Sequence, residues 1–311
     1  MTLVSIDGAK NAPTRDIGLD AQVTMNIEVT GAVAPGAHIV VYFAPNTEQG
    51  FLGAIKAVVA DKENKPSVLA ICWGSPETSW TKATLKGMNE ALEAAAAQGI
   101  TVVAAAGDNG VTDGVDDGLP HVDFPASSPW VLACGGTRVT ASGNKITSEV
   151  VWNDSNADFA SATGGGVSEV FPQPEWQSGT TVPAAGHGKS GRGLPDVAAN
   201  ASPSSGYVVL IHGEKMVLGG SAATVPFWAG LIAVINQAVG RNLGYINPVL
   251  YNKIGPAGVF RNITEGHNGV KGVKGYMAGP GWNACTGWGS PNGKKLLEAF
   301  QSHIHSTTTT P

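Results

Sequence analysis

Val217-Leu218-Gly219-Gly220-Ser221-Ala222-Ala223-Thr224-Val225-Pro226 carries the chain out of an apolar strand pattern, through paired glycines, into a long apolar helix. The strand pattern is Tyr207-Val208-Val209-Leu210-Ile211 followed by Lys215-Met216-Val217-Leu218, and the helix is predicted over roughly Ala222 to Val239. The first turn of such a helix presents backbone N–H groups with no partner of their own, at the positive end of the helix dipole. A small residue there stands where an acyl-transfer enzyme places its hydroxyl and its oxyanion donors. The turn reads Ser221-Ala222-Ala223, so its chemistry depends on which of these residues holds the reacting position.

Working outward, short β-branched runs alternate with helical stretches through the first half. Leu3–Ile6, His38–Phe43, Ser67–Trp73 and Thr101–Ala106 read as buried strands bounded by turn residues. Ala21–Thr30, Thr47–Ala60 and Trp80–Gln98 read as helices, the last ending at Gly99, a C-cap signal. Strand–helix–strand repetition predicts an α/β fold: a parallel sheet with helices on both faces and right-handed crossovers. Beyond Asp108 the sequence becomes rich in Gly, Asp, Pro and Ser, and strands there are expected to be antiparallel or irregular. Such loops shape binding clefts on α/β scaffolds. No linker is visible, so residues 1–302 are expected to form one domain, with a closing helix near Asn292–Ser302 and a polar, disordered tail at 303–311.

Composition narrows the function classes. The 311 residues include 42 glycines, only 14% charged residues and a net charge of −5. No basic stripe is present to hold a nucleic acid. No run reaches the ~18 apolar residues of a membrane span. The N-terminus lacks the basic and apolar regions of a signal peptide, so no location is assigned. Cys72, Cys134 and Cys285 form neither a disulfide framework nor a metal pattern and are expected to be buried free thiols.

Several separated segments resemble one family. They include Glu28-Val29-Thr30-Gly31-Ala32, Ala104-Ala105-Ala106-Gly107-Asp108, Phe124-Pro125-Ala126-Ser127-Ser128-Pro129, Cys134-Gly135-Gly136-Thr137, Gly164-Gly165-Gly166-Val167-Ser168 and Gly193-Leu194-Pro195-Asp196. With the loop before Pro226 they resemble the catalytic domain of the sedolisin (serine-carboxyl) peptidases, in that family's order and spacing over nearly the whole chain. The resemblance implies a subtilisin-like parallel sheet with a loop-rich C-terminal half, endopeptidase ancestry, activity in acid and a bound calcium ion. It also implies a strand and helix before Leu3 that this chain does not contain. An upstream segment or a separate chain is therefore expected to complete the sheet. The family is typically exported.

Carried over residue by residue, the resemblance puts the nucleophile at Ala222 and the family's threonine at Ser221. A Glu and an Asp four residues apart, on one helix face, serve that nucleophile by sharing a proton. Their positions here are Gln22 and Asn26, and neither amide titrates usefully. Glu28, about 200° round the helix from Asn26, cannot take their place. Asp108 matches the acid that helps form the oxyanion hole, while Trp73, Asp123 and Gly165 match the walls of the substrate cleft. The calcium ligands fall on Asn262, Ile263, Gly279, Gly281 and Asn283. Two amides in place of two carboxylates should weaken such a site.

The expectation is therefore a peptidase homologue without peptidase activity, holding an extended peptide or acting as a scaffold. Two other readings stand beside it. One is an enzyme of different chemistry using Gln22, Thr24, Asn26, Asp108 and Ser221. The other is an active acid peptidase with Ser221 as nucleophile.

Overall fold

In the computed structural model the described residues are 1–13, 17–185 and 188–308. The first half alternates β1 (Thr2–Ser5), α1 (Ile17–Val33), β2 (Val40–Phe43), α2 (Glu48–Ala60), β3 (Val68–Ile71), α3 (Lys82–Ala97) and β4 (Thr101–Ala105). The second half supplies β5 (Leu132–Ser142), β6 (Lys145–Val151), β7 (Val197–Asn200), the hairpin β8 (Tyr207–Ile211) and β9 (Glu214–Leu218), α4 (Ser221–Val239) and α5 (Gly293–Thr308).

Strands β3, β4, β5 and β7 form one parallel sheet in that spatial order, with β6 antiparallel on β5. Successive side chains on a strand point to opposite faces, and the core divides accordingly. Val102 and Ala104 pack in a cluster with Ile55 of α2 and Leu85, Met88 and Leu92 of α3. Val103 and Ala105 pack in another with Val225, Trp228 and Ile232 of α4 and Met25 and Val29 of α1. Helices thus cover both faces, as predicted, and the strands carry apolar residues without alternation because both faces are buried. The strands were expected to be antiparallel or irregular beyond Asp108, but β5 and β7 are parallel members of the main sheet. Their Gly135-Gly136 and Ala198-Ala199 pairs lack the branched side chains that mark a strand, and at the two glycines the surroundings leave no room for one. A Cβ on Gly135 would lie 2.6 Å from Pro195, and one on Gly136 2.6 Å from Ala201.

The sheet is split. β1 and β2 pair in parallel but form a separate two-stranded sheet. Helix α2 straddles the division: a Cβ on Gly53 would lie 3.5 Å from Ile6, just after β1, while Ile55 packs with Ile71 of β3. Among the described residues no ladder joins β2 to β3. The bordering strands are not sealed. All four residues of β2 are half-buried despite being apolar, and Ala70 of β3 is exposed, whereas β4 is wholly buried.

Two expectations need correction. Helix α5 runs on to Thr308, so the segment read as a disordered tail is helical that far; 309–311 lie outside the described residues. Helix α4 is long and apolar enough to cross a membrane by length and composition, contrary to the expectation of no such run. Its apolar surface has another use here, since most of the helix is buried between α1 and the sheet. The three cysteines are free and buried, and burial pushes the Cys72 thiol up to about 12.

Candidate active site

Strand β4 ends at Ala105, and Gly107, at φ +101°, turns the chain so that Asp108 meets the start of α4. The carboxylate oxygen Oδ1 of Asp108 accepts from the Ser221 backbone N–H at 2.7 Å and from the Ser221 hydroxyl at 2.6 Å. Ser221 Oγ in turn accepts from the Gly107 N–H at 3.2 Å. The approach is close enough to require glycine at 220: its φ is +100°, and a Cβ there would lie 2.6 Å from Asp108 Oδ2. Asp108 thus occupies the N-terminus of α4, where a helix favours an acceptor. Ser221 is 1% exposed, and its hydroxyl is held against the Asp108 carboxyl. Ala222, next along, is buried in the apolar cluster that also contains Ala21 and Met25, which flank the two amides of α1.

Those amides face one another. Gln22 Nε2 donates to Asn26 Oδ1 at 3.2 Å, as four-residue spacing on a helix allows. Thr24 is turned back onto its own helix, donating to the Asp20 carbonyl at 2.7 Å. Glu28 is committed elsewhere, with Oε2 accepting from the Leu210 N–H of β8 at 3.0 Å.

A model of the subtilase family matches residues 16–248. Kumamolisin of Bacillus sp. (strain MN-32) is 55% identical over 301 residues, 96% of this chain and 54% of that protein. Human tripeptidyl-peptidase 1 is 34% identical over 308 residues, 90% of this chain and 52% of that protein. The solved structure of Pseudomonas sedolisin, a serine-carboxyl proteinase complexed with two molecules of pseudo-iodotyrostatin, superposes with a TM-score of 0.85 at 28% identity, covering 98% of this chain and 84% of that one. The chain belongs to the subtilase family, in its sedolisin group. It spans about half the length of the curated relatives it matches.

Around Asp108 lies a set of acids that sequence reasoning only partly found. Asp113, Asp123 and Glu77 are all buried. A Cβ on Gly107 would lie 2.5 Å from Asp113 Oδ1 and 3.7 Å from Asp123 Cβ, which brings these two carboxyls to the same turn. Among the described residues Asp113 Oδ2 and Asp123 Oδ1 have no hydrogen-bond partner, while Glu77 accepts from Ser168 Oγ at 2.5 Å and the Glu169 N–H at 3.2 Å. Burial raises the pKa of Asp108, against the opposing pull of its Ser221 hydrogen bonds. Burial, then the charge of neighbouring carboxylates, raises Asp113 and Asp123 well above the usual range. Glu77 is raised too, again chiefly by burial. Burial thus favours the protonated form of each of these carboxyls. Glu77 left no local signal because it joins the others only through the fold. Asp113 stands in a visibly acidic loop with Asp108, Asp116 and Asp117.

Trp73, 43% exposed, follows β3 at the same end of the sheet, and its neighbour Gly74 fits only because a Cβ there would strike Asp123. Gly165 packs against this chain's own atoms: a Cβ would lie 2.4 Å from the Ala284 carbonyl, and the Gly165 carbonyl accepts from Asn268 Nδ2 at 3.1 Å. Its lack of a side chain thus answers internal packing as well as any cleft. The five residues expected around calcium also come together. Asn262 Nδ2 donates to the Gly281 carbonyl at 3.2 Å, and Asn283 Nδ2 to the carbonyls of Ile263 at 3.4 Å and Gly279 at 3.3 Å.

Proposed function

We infer that this sedolisin-group chain is a peptide-binding or scaffolding homologue that does not hydrolyse peptides. The observation that carries the reading is the pairing of Ser221 with Asp108. The hydroxyl nearest the start of α4 is buried and donates a hydrogen bond to Asp108 Oδ1, and among the described residues no histidine or carboxylate pair is bonded to it. The amide pair Gln22–Asn26 supports the same reading, since it cannot share a titrating proton as two carboxylates do. A ligand suited to the C-terminal end of the sheet is an extended peptide held by main-chain hydrogen bonds. Trp73, Asp108 and Asp123 would provide its walls. The split between β2 and β3 belongs to this proposal as well: a further parallel strand, from an upstream segment or a separate chain, completes the sheet.

The test is a quenched-fluorescent peptide library read from acid to neutral pH, with a fluorophosphonate probe in parallel. No turnover and no labelling are expected. Turnover that survives Asp108→Ala and vanishes in Ser221→Ala overturns the reading in favour of Ser221 as nucleophile. In the reciprocal experiment, Gln22→Glu, Asn26→Asp and Ala222→Ser together should yield acid peptidase activity while each alone yields almost none, because such residues act as a unit.

A further inference from the structure

The loops around Asn262 and Asn283 are where the sedolisin resemblance implies calcium, and the donor set there does not fit that ion. A calcium site draws six to eight oxygens inward at about 2.3–2.6 Å, with carboxylates supplying negative charge. Here the carbonyls of Ile263, Gly279 and Gly281 all accept hydrogen bonds from side-chain amides. The orientation of Asn283 is fixed by chemistry. Its Oδ1 accepts from the backbone N–H groups of Cys285 at 3.1 Å and Thr286 at 3.0 Å, and from Thr286 Oγ1 at 3.1 Å. Backbone N–H groups only donate, so the atom facing them is oxygen, and the NH₂ faces the Ile263 and Gly279 carbonyls. Its two N–H bonds diverge, one for each carbonyl. The residue is largely buried, and its backbone exchanges hydrogen bonds with Gly287 at 2.9 and 3.2 Å, which holds the fork in place.

We propose that the side-chain amides of Asn262 and Asn283 take the structural role of a divalent cation, tying the carbonyls of Ile263, Gly279 and Gly281 together without metal. A cation and an N–H donor satisfy the same need, since converging carbonyl oxygens repel unless positive charge stands between them. The amide does so with partial charge and no ion. It also excludes the ion, because the Asn283 oxygen is already committed and its NH₂ lies on the carbonyl side.

Melting curves of the whole chain at neutral pH, in millimolar calcium and in chelator, test this. The wild-type curves should coincide, and hydrogen exchange across residues 279–283 should not respond to calcium. Asn283→Asp turns a donor into an oxygen facing two carbonyl oxygens, so its melting temperature in chelator should fall by several degrees. Asn262→Asp with Asn283→Asp should fall further in chelator and regain stability in calcium. A wild-type midpoint that rises with calcium overturns the proposal, and so does an Asn283→Asp variant as stable as wild type in chelator. Should the double variant not fold, Asn262→Asp alone, altered at an exposed position, gives the same comparison. A lower midpoint in chelator than wild type supports the proposal, and an unchanged one overturns it.

Discussion

Ser221 is a buried hydroxyl used for structure. It donates to Asp108 Oδ1 and accepts from the Gly107 N–H, so it ties the turn after β4 to the first turn of α4. Removing the hydroxyl strands a backbone donor and takes one bond from a buried acid. Ser221→Ala should therefore cost about 1–3 kcal/mol in urea unfolding. Ser221→Thr keeps the hydroxyl and should cost little. Alanine as stable as wild type would mean that the hydroxyl contributes nothing net and that its geometry needs another explanation. The pair Gln22–Asn26 belongs to the same scale. Its spacing was legible in the sequence because residues four apart on a helix lie one above the other. The acids Glu77 and Asp113 were not legible as partners of Asp108, since burial and tertiary approach, not spacing, bring them together.

Among the elements, the division between β2 and β3 makes a residue-by-residue prediction. In a parallel ladder each residue directs its N–H and C=O to one neighbour, and alternate residues serve alternate sides. The Ile39 and Phe43 carbonyls accept from the Thr2 and Ile6 N–H groups of the first strand, so Val41 also faces β1 while Val40 and Tyr42 face the gap. The Ser67 carbonyl accepts from Thr101, which turns Leu69 toward β4 and Val68 and Ala70 toward the gap. Amide exchange followed by NMR should therefore be fast at Val40, Tyr42, Val68 and Ala70 and slow at Val41 and Leu69. Uniform protection would mean that both edges are already covered in solution, by self-association or by a closing of the sheet. The parallel core of the first half could be read from its apolar runs and intervening helices. The places of β5 and β7 could not, because contacts with Pro195, Ala201 and Trp152 demand glycine at 135 and 136, and β7 carries Ala198-Ala199, where a strand usually announces itself with valine or isoleucine. Helix α5 outruns its sequence signal for a similar reason: its last turns are polar, and polarity at a chain end reads as fraying.

For the whole molecule, the balance of shifted acids sets the pH range of stability. Asp108, Asp113, Asp123 and Glu77 all have folded pKa values raised above their ordinary values, chiefly by burial. A group raised in this way binds its proton more tightly when folded. Its contribution to stability is full below the unfolded value, about 4, and is lost as pH climbs through the folded value. Each tenfold difference in proton affinity between the folded and unfolded chain is worth about 1.4 kcal/mol. Opposing this, Asp61 is held down to about 2, first by the Asn64 side chain, while the Glu48 carboxyl is lowered first by Thr84 and Asp117 first by the Leu119 N–H. Their contributions fade only as pH falls below their ordinary values, and all three carboxyls lie in contact with solvent, where screening keeps such effects small. The buried acids should therefore dominate, and urea unfolding should show greater stability at about pH 4.5 than at about pH 8. Asp113→Asn removes one buried charge without changing shape, so it should stabilise the chain at the higher pH and change little at the lower. Equal stability of the wild type at both, or an Asp113→Asn variant no better at the higher pH, would mean that solvent reaches these carboxyls and that the turn around Gly107 is more open than its contacts imply.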